Sequence, residues 1–321
     1  MSNKRSRRVL LIGLAVATLL AGTTRVQAQL GGHNTKGDFG LLAGSKAPPG
    51  MYVVAPLYMR YEADTLRNRD EDRERLDFSL DVNAYVFGFL YVSERKFLGG
   101  NYSFQIFPGF TDNALAAPLL DLDDSVGTGF TDLYIVPLHL GWHKPRADFV
   151  AGLGIFAPTG RFKPGADDNL GLGMWSFELF GGTTLYLDEA KSWHFATNAF
   201  YEIHTEKEDT DVQVGDLLTL EGGLGKSFMQ GAASAGVAYY AQWKMTRDDL
   251  GLDFEPPSGR GLAKHHVYGF GPDLTFPIAT KKKLIGFLNL RYFWETGARS
   301  ALEGSSLFVT LTFPVPSVPL Q

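Results

Sequence analysis

A period-2 alternation of apolar and polar residues most constrains what this chain can fold into, and it recurs about a dozen times between Met51 and Phe313. In the segment 193–204, for example, Trp193 begins an apolar face and His194 begins a polar one. Alternation of this kind predicts β-strands with two unlike faces. Each segment is roughly ten residues long, which is the length that a tilted strand needs to cross a bilayer. The sequence therefore predicts twelve strands, each long enough to span a membrane.

The segments between the predicted strands alternate in length. The short set comprises 144–147, 188–192, 229–231 and 277–283, and the long set comprises 62–77, 109–128, 159–173, 205–215, 247–262 and 295–305. Short turns on one side and long polar loops on the other are typical of outer-membrane barrels. A sheet in hydrocarbon must also close on itself, because no water can pair with its edges. We expect an all-β fold, a transmembrane antiparallel β-barrel of about 12 strands over residues 50–313. A soluble β-sandwich, which also alternates, is the alternative.

The composition supports this fold class and excludes others. Of the 321 residues, 45% are hydrophobic and 13% are aromatic, there is no Cys, and the mean hydropathy is −0.07. So many aromatic residues argue against a disordered chain, and the absence of Cys excludes a disulfide scaffold. The net charge of −5 argues against a nucleic-acid partner. A lipid-facing apolar band averaged with polar loops and a polar lumen explains how a high hydrophobic fraction coexists with a near-neutral hydropathy.

Residues 1–28 have the pattern of a secretory signal peptide. A basic start precedes an uncharged apolar run at 9–20, and cleavage is expected after Ala28. A membrane anchor is the alternative, but a spanning helix needs about 20 apolar residues. Arg7 and Arg8 give a faint similarity to a twin-arginine signal, yet that route carries folded proteins, so we expect the general secretory route. Cleavage removes five positive charges and no negative ones, which leaves a net charge of −10.

The two ends of the mature chain flank the predicted barrel. Residues 29–49 contain no clear strand, and we expect them to form a periplasmic arm or a plug inserted in the barrel. Residues 314–321 contain three prolines, at 314, 316 and 319. Because proline cannot donate to a central ladder, these residues predict a short periplasmic tail that does not pair.

Several short motifs, in a fixed order along most of the mature chain, resemble those of one protein family. They are Gly37-Asp38-Phe39-Gly40, Ala47-Pro48-Pro49-Gly50, Gly129-Phe130-Thr131-Asp132, Gly154-Ile155-Phe156-Ala157-Pro158-Thr159-Gly160, and Tyr268-Gly269-Phe270-Gly271-Pro272-Asp273. In these stretches the chain resembles the family of outer-membrane proteins associated with the meta-pathway of phenol degradation. The resemblance implies an outer-membrane barrel with a part in the uptake of small hydrophobic compounds. It implies no catalytic residue, because none is assigned in the family.

The polar face of the predicted strands gives the candidate functional residues. If the apolar face meets lipid, the residues that line the lumen are Tyr58, Arg60, Asp81, Asn83, Gln105, Glu178, Asn198, Glu202, His204, Glu221, Tyr240, Gln242, Lys244, Asn289 and Arg291. Charges of both signs predict ion pairs across the lumen, with structural and functional roles both open. Facing is least determined at 130–141, where both faces are apolar and one bulge would exchange them.

The histidines and serines do not form a recognisable catalytic or metal-binding motif. His33, His139, His143, His194, His204, His265 and His266 lack the spacing of a zinc helix motif, and no thiolate is present. A barrel esterase or phospholipase would need a Ser–His pair oriented by a third group, and no local motif supplies one. We therefore predict no metal, no cofactor and no enzymatic activity.

Together these features predict a barrel of the outer membrane of a diderm bacterium that allows passive uptake of small hydrophobic compounds, aromatic ones among them. The expected partners are outer-membrane lipid and lipopolysaccharide, a small hydrophobic solute and the barrel-assembly machinery, with no nucleic acid. A structural or surface barrel that does not transport, and the barrel esterase, remain the alternatives.

Overall fold

The computed structural model describes residues 30–75, 77–118, 122–251, 264–281 and 283–316. The predicted signal peptide, residues 1–28, lies outside the described residues. Within the described ranges, no helix combines the length and the apolar content that a membrane span requires.

Fourteen strand segments form one sheet, and every neighbouring pair is antiparallel. In chain order they are β1 (Met51–Arg67), β2 (Ser79–Phe97), β3 (Gly100–Phe107), β4 (Gly109–Ala117), β5 (Leu122–Phe130), β6 (Leu133–His143), β7 (Ala147–Ala157), β8 (Ser176–Tyr186), β9 (Trp193–His204), β10 (Leu217–Phe228), β11 (Ala233–Lys244), β12 (His266–Ala279), β13 (Leu284–Arg299) and β14 (Ala301–Pro316). Apart from β4 and β5, they overlap the predicted strand segments of the sequence, because successive side chains of a strand point to opposite faces.

The sheet closes into a barrel. β3 and β4 both pair with β2, so they are two segments of one barrel strand interrupted at Pro108. β5 and β6 likewise form one strand, which pairs with β4 and β3. β1 pairs with β14 on one side and with β2 on the other, so the first and last strands close the sheet. The result is a closed antiparallel barrel of 12 strands, which confirms the predicted fold class.

A β-bulge explains why the facing of 130–141 is ambiguous in the sequence. β6 changes register against β7 between Ile135 and Leu138, and against β3 over the same stretch. Val136 and His139 are both buried, and both lie against Phe180 inside the barrel. Residues three apart share a face only where an extra residue interrupts the strand. The bulge therefore exchanges the inner and outer faces within this strand.

The predicted C-terminal tail is wrong for residues 314–316, which extend β14. Met51 pairs with Pro316, and Val53 pairs with Pro314. β13 pairs with β14 only as far as Thr312, so beyond that point β14 has a single neighbour. Proline fits such a position, because one side of the strand requires no donated hydrogen bond. Residues 317–321 lie outside the described part of the chain.

The two ends of the barrel differ, and we call them the turn end and the loop end. Short turns join β2 to β3, β6 to β7, β8 to β9, β10 to β11 and β12 to β13. Longer connections at the loop end include 158–175 and 205–216. Two of the predicted long loops are wrong: 109–128 is mostly strand, in β4 and β5, and 295–305 is strand interrupted only at Ser300. In both segments the strands stay paired toward the loop end, beyond the last residues that alternate between apolar and polar.

Candidate functional site

The lumen of the barrel holds the N-terminal segment. Residues 30–46, which we call the plug, form no strand and lie in the lumen, enclosed by the barrel wall. At the loop end Lys244 Nζ donates to the backbone oxygen of Leu30 (2.9 Å), and at the turn end Lys46 Nζ donates to the backbone oxygen of Asn101 (2.5 Å). The plug therefore runs through the barrel from the loop end to the turn end before β1 begins.

Two buried glutamates hold the backbone of the plug. Glu202 on β9 accepts from the N–H groups of His33 (2.7 Å) and of the next residue (3.1 Å). Glu221 on β10 accepts from the N–H groups of Gly37 (2.9 Å) and Phe39 (2.8 Å). Hydrogen bonds to an ionised acceptor are stronger than neutral ones, and a buried N–H without a partner is costly. These carboxylates therefore accept the backbone hydrogen bonds of the plug that a neighbouring strand would accept in a sheet.

An ion pair between β12 and β13 fixes the middle of the plug. Arg291 Nε lies 3.0 Å from Asp273 Oδ2. Arg291 Nη1 donates to the backbone oxygens of Gly37 (2.6 Å) and of the following residue (2.7 Å), while Asp273 accepts from the N–H of Leu41 (3.1 Å). At Gly40 a Cβ atom would lie 1.9 Å from Asp273 Oδ2, so only glycine allows this close approach.

The structure places most of the predicted lumen residues on the inner face. They are Gln105, Glu178, Asn198, Glu202, His204, Glu221, Tyr240, Gln242, Lys244, Asn289 and Arg291. Those that do not reach the plug bond to the wall itself: Gln242 Nε2 donates to Thr219 Oγ1 (3.0 Å), and the Tyr240 hydroxyl donates to Glu295 Oε1 (2.8 Å). We call the lumen-facing residues of β8 to β13 the polar wall. The polar groups of this wall form hydrogen bonds with the plug or with one another.

The predicted facing is wrong for the first two strands. Directly opposed residues of an antiparallel pair lie on the same face. Met59 on β1 opposes both Phe308, which is completely buried in the core cluster inside the barrel, and Ala84 on β2. The alternate residues of these strands therefore lie outside the barrel. The predicted lumen residues found on the outer face are Tyr58, Arg60, Asp81 and Asn83.

These outward-facing polar residues satisfy one another. The Tyr58 hydroxyl donates to Asn83 Oδ1 (2.8 Å), and Asn83 Nδ2 donates to Asp112 Oδ1 (2.8 Å). Arg60 Nη2 lies 3.0 Å from Asp81 Oδ1. Arg60 lies near the middle of β1 and Asp81 near the loop end of β2, so these polar groups are paired with one another on the outer face.

A signal for the true facing is present in β2. Tyr85, Phe87 and Phe89 alternate on its outer face and are 39%, 42% and 45% exposed. An alternating row of exposed aromatic residues is what a lipid-facing surface of a barrel shows. This row lies beyond Asp81 and Asn83, the polar residues on which the predicted facing of the strand rests.

The inner faces of β1 and β2 form a second, unlike wall. We call it the aliphatic wall, and it consists of Ala55, Leu57, Met59, Leu80, Val82, Ala84 and Val86. Each of these side chains is only half-buried, whereas Glu202 and Glu221 on the polar wall are fully buried. Among the described contacts of residues 30–46, no hydrogen bond reaches β1, β2 or β14. The described hydrogen bonds of the plug therefore go to other parts of the barrel, and Leu57 and Met59 pack against the buried cluster that contains Phe308.

A cluster of polar side chains surrounds the plug at the loop end. His33 Nδ1 and His204 Nδ1 each lie 2.7 Å from Ser176 Oγ. His33 Nε2 lies 2.8 Å from Asp132 Oδ2, and His33 Nδ1 lies 3.7 Å from Glu202 Oε1. Spacing within the sequence gives no sign of this cluster, because closure of the barrel and insertion of the plug bring its members together.

Ser176, His33 and Asp132 have contacts resembling those of a nucleophile, a base and an orienting acid, the set that the esterase alternative requires. Ser176 is completely buried, however, and its hydroxyl lies between two imidazole rings. A substrate carbonyl has no approach to Ser176 Oγ while the plug is bound. The arrangement therefore favours a role in holding the plug over nucleophilic catalysis.

Loops close the barrel over the start of the plug. Leu30, Met174 and Val214 form a buried apolar cluster at the loop end. Beside it, Lys207 Nζ donates to the backbone oxygen of Leu172 (2.6 Å). Burial lowers the pKa of Lys207 to about 8. The plug is therefore covered from the loop end by an apolar contact and by a buried amine.

Comparison with protein families assigns the chain. A family described as "Putative MetA-pathway of phenol degradation" matches residues 63–311. The chain belongs to this family. The match to this phenol-degradation family extends from the end of β1 into β14, and it confirms the resemblance carried by the short motifs. No curated protein matches the chain.

Solved structures show where the fold of this phenol-degradation family member recurs. An outer membrane channel from Pseudomonas putida F1 superimposes with a TM-score of 0.72 at 14% identity, over 88% of this chain and 100% of that chain. The beta domain of the Bordetella autotransporter BrkA gives a TM-score of 0.45 at 12% identity, over 82% and 99% of the two chains. The CymD monoaromatic hydrocarbon channel gives 0.38 at 9% identity, over 84% and 89%. The first likeness establishes the β-barrel fold, and the two weaker ones carry no argument about this chain.

Proposed function

We propose that this chain is an outer-membrane channel for the passive movement of small hydrophobic compounds, aromatic ones among them. The observation that carries the proposal is the aliphatic wall, which faces the lumen and forms no hydrogen bond with the described plug residues. A solute that enters beside the plug meets Leu57, Met59 and Val86 rather than the charged groups of the polar wall.

The two walls favour apolar solutes for a physical reason. Removal of apolar surface from water gains about 25 cal/mol per Å². Contact with Leu57 and Met59 therefore favours entry of a small apolar compound, while the gain stays small enough for the compound to leave again. Polar solutes gain less, because Glu202 and Glu221 already accept hydrogen bonds from the plug. Movement follows the concentration gradient and needs no energy source.

The plug restricts the passage of water-soluble compounds. Residues 30–46 occupy the polar side of the lumen and are held along its length by charged groups. Barrels of eight strands are filled by side chains and those of sixteen leave an aqueous channel, so a barrel of intermediate size is narrowed effectively by one extended segment. We therefore expect ions and sugars to pass poorly while the plug is bound.

Family membership supports this class of solute. The family's description refers to phenol degradation, and the relative from Pseudomonas putida F1 is an outer membrane channel. A cell that degrades an aromatic compound must first admit it across the lipopolysaccharide layer, which slows the entry of hydrophobic molecules. A channel with an aliphatic path through its lumen meets that need.

The proposed location is the bacterial outer membrane. Exposed aromatic residues on the outer face, such as Tyr52, Trp193 and Trp294, are suited to contact lipid and lipopolysaccharide at the two interfaces. Export through the general secretory route and insertion by the barrel-assembly machinery remain predictions from the sequence.

Uptake of N-phenylnaphthylamine by intact cells tests the proposal, since this apolar dye fluoresces on reaching phospholipid and intact lipopolysaccharide slows it. We expect faster uptake in cells that produce the chain than in cells with an empty vector, at equal amounts of folded barrel in the outer-membrane fraction. Equal rates would contradict the proposal and favour a structural or surface barrel. Hydrolysis of ester or phospholipid substrates by the purified protein would instead support the esterase alternative.

A further inference from the structure

We propose that His33, Glu202 and His204 form a binding site for one divalent transition-metal ion of the zinc class, which pins the plug to the wall of the barrel. The site joins the plug, through His33, to two residues of β9. The inference goes beyond the proposed function, because metal binding can be measured without any solute.

The ligand atoms have the separations that a tetrahedral metal site needs. Glu202 Oε1 lies 3.7 Å from His33 Nδ1 and 3.6 Å from His204 Nδ1, and ligand atoms of all three residues lie within 4.8 Å of one another. Zinc bonds to nitrogen and oxygen of about 2.1 Å in a tetrahedron place ligand atoms about 3.4 Å apart. Shifts of a few tenths of an ångström bring the two measured sides to this separation, and the third side, which is within 4.8 Å, closes by rotation of the imidazole rings. Ser176 Oγ, 2.7 Å from both ring nitrogens, faces the same point and leaves the fourth position to a hydroxyl or water.

A second carboxylate presents His33 in the orientation that a metal requires. His33 Nε2 lies 2.8 Å from Asp132 Oδ2, and this oxygen also accepts from the N–H of Leu172 (2.7 Å). Donation from Nε2–H to Asp132 leaves the lone pair of Nδ1 directed at Glu202 and Ser176. Metal-ligating histidines generally donate their other ring N–H to a carboxylate in this way.

The buried negative charge around the cluster favours the binding of a cation. Asp132, Glu178 and Glu202 are all buried at the loop end of the lumen. Among the described contacts of these carboxylates, no hydrogen bond comes from a Lys or Arg side chain; the donors are backbone N–H groups, Asn34, Tyr134 and histidine. Burial of several carboxylates with no lysine or arginine hydrogen-bonded to them is unfavourable, and a dication at this point offsets it.

The donor set selects the kind of metal. Two imidazole nitrogens and one carboxylate oxygen suit zinc and its neighbours in the first transition series. Magnesium and calcium prefer all-oxygen sites with more ligands. The geometry therefore points to zinc, with cobalt as a spectroscopic substitute.

Metal content of the purified full-length mature protein tests the inference. The protein is stripped with a chelator in detergent, incubated with zinc chloride, freed of unbound metal and analysed by inductively coupled plasma mass spectrometry. We expect about one zinc per chain for the wild type and background zinc for His204→Asn. His194→Asn is the matched control: His194 is also buried and contacts the plug at the Leu41 oxygen (3.0 Å), but it lies outside the cluster. That variant should keep its zinc.

Spectroscopy and a positioning variant keep the test independent of folding. Cobalt bound to the wild type should give the visible absorption of a tetrahedral site, which His204→Asn lacks while retaining the heat-modifiable gel migration of a folded barrel. Asp132→Asn should weaken zinc binding by about 10–100-fold without abolishing it. Zinc absent from the folded wild type, or lost equally from His194→Asn, would overturn the proposal and leave a hydrogen-bonded cluster around Ser176. Neither result would change the outcome of the dye-uptake experiment.

Discussion

The polar wall and the aliphatic wall face each other across one lumen, yet their inner side chains differ in chemistry. On β8 to β13, inner positions carry groups such as Glu202, Glu221 and Arg291, each of which bonds to the backbone of the plug. On β1 and β2, inner positions such as Leu57 and Met59 are aliphatic and half-buried. A lumen filled with water would favour polar groups on every strand. The difference shows that one half of this wall holds a peptide segment, and the proposed function assigns an apolar path to the other half.

Part of the outer surface, beside the exposed aromatic row of β2, shows the converse arrangement. Arg60 and Asp81 lie outside the barrel beyond the aliphatic wall and pair with each other. Behind the polar wall, outer positions such as Phe270 and Trp294 are aromatic and exposed. The inner character of a strand in this barrel thus depends on whether the plug lies against it.

Removal of the plug should have the largest effect on the comparison. Deletion of residues 30–46 with the signal peptide retained vacates the polar wall, and an empty barrel of this size admits water. We expect the swelling rate of proteoliposomes in small sugars to rise from near that of empty liposomes to that of an open pore. Heat-modifiable gel migration confirms that the barrel is closed. A folded deletion variant that admits no sugar would contradict the role given to the plug.

Loss of Arg291 should have the next largest effect. Arg291→Met leaves Asp273 buried without its ion-pair partner and removes the donor to two plug carbonyls, at an expected cost of about 3–5 kcal/mol. Arg60→Met removes an arginine from an exposed ion pair on the outer face, where screening makes the pair weak, so we expect a much smaller loss. Urea unfolding in detergent, compared for the two variants, checks the difference. Similar losses would mean that the inner and outer arginines are equivalent.

A smaller loss is expected for Glu221→Gln. A neutral amide accepts more weakly than a carboxylate, and it has one oxygen for the two N–H groups of Gly37 and Phe39, so the plug should be destabilised by about 1–3 kcal/mol. Cleavage of the plug by added protease should become faster, whereas Glu189→Gln, in an exposed turn, should leave the rate unchanged. Equal protection of all three proteins would argue against a carboxylate clamp.

The smallest effect is a pH dependence of loop closure. Burial lowers the pKa of Lys207 from 10.5 to about 8. When the loop opens, Lys207 binds a proton more tightly, so the closed state gains stability as the pH rises from about 8 toward 10.5. Protection of the loop from a protease active over that range should increase by up to about 1.4 kcal/mol per pH unit. Lys207→Met should remove the dependence, and a decrease in protection would contradict the assigned sign.

Much of the barrel was predictable from the sequence, for a simple reason. Strand geometry forces side chains to alternate, so the period-2 pattern located the strands whether or not their facing was known. The polar inner face of β9, with Asn198 and Glu202, was also predictable because the outer face beside it is continuously apolar.

The rest depends on contacts between distant segments. Alternation does not say which of two faces points inward, and the aliphatic residues of β1 suggested lipid when they face the lumen. Leu57 on β1 pairs with Thr310 on β14, and only this pairing between the two ends of the chain shows that Leu57 faces the lumen. The cluster of His33, Ser176 and His204 likewise exists only once the plug is inserted. Local sequence patterns thus predict the strands of the barrel wall. Contacts with the plug in the lumen determine the role of each side of that wall.

The most direct test of the aliphatic path is dye uptake through wall variants. Leu57→Gln combined with Met59→Gln places two polar amides on the inner face of β1, whereas Tyr58→Gln changes the residue between them on the outer face. With equal amounts of folded protein in the outer membrane, N-phenylnaphthylamine uptake should fall toward the empty-vector rate for the double variant and stay near wild type for Tyr58→Gln. Uptake that is unchanged in the double variant, or reduced equally in both, would contradict passage along the aliphatic wall.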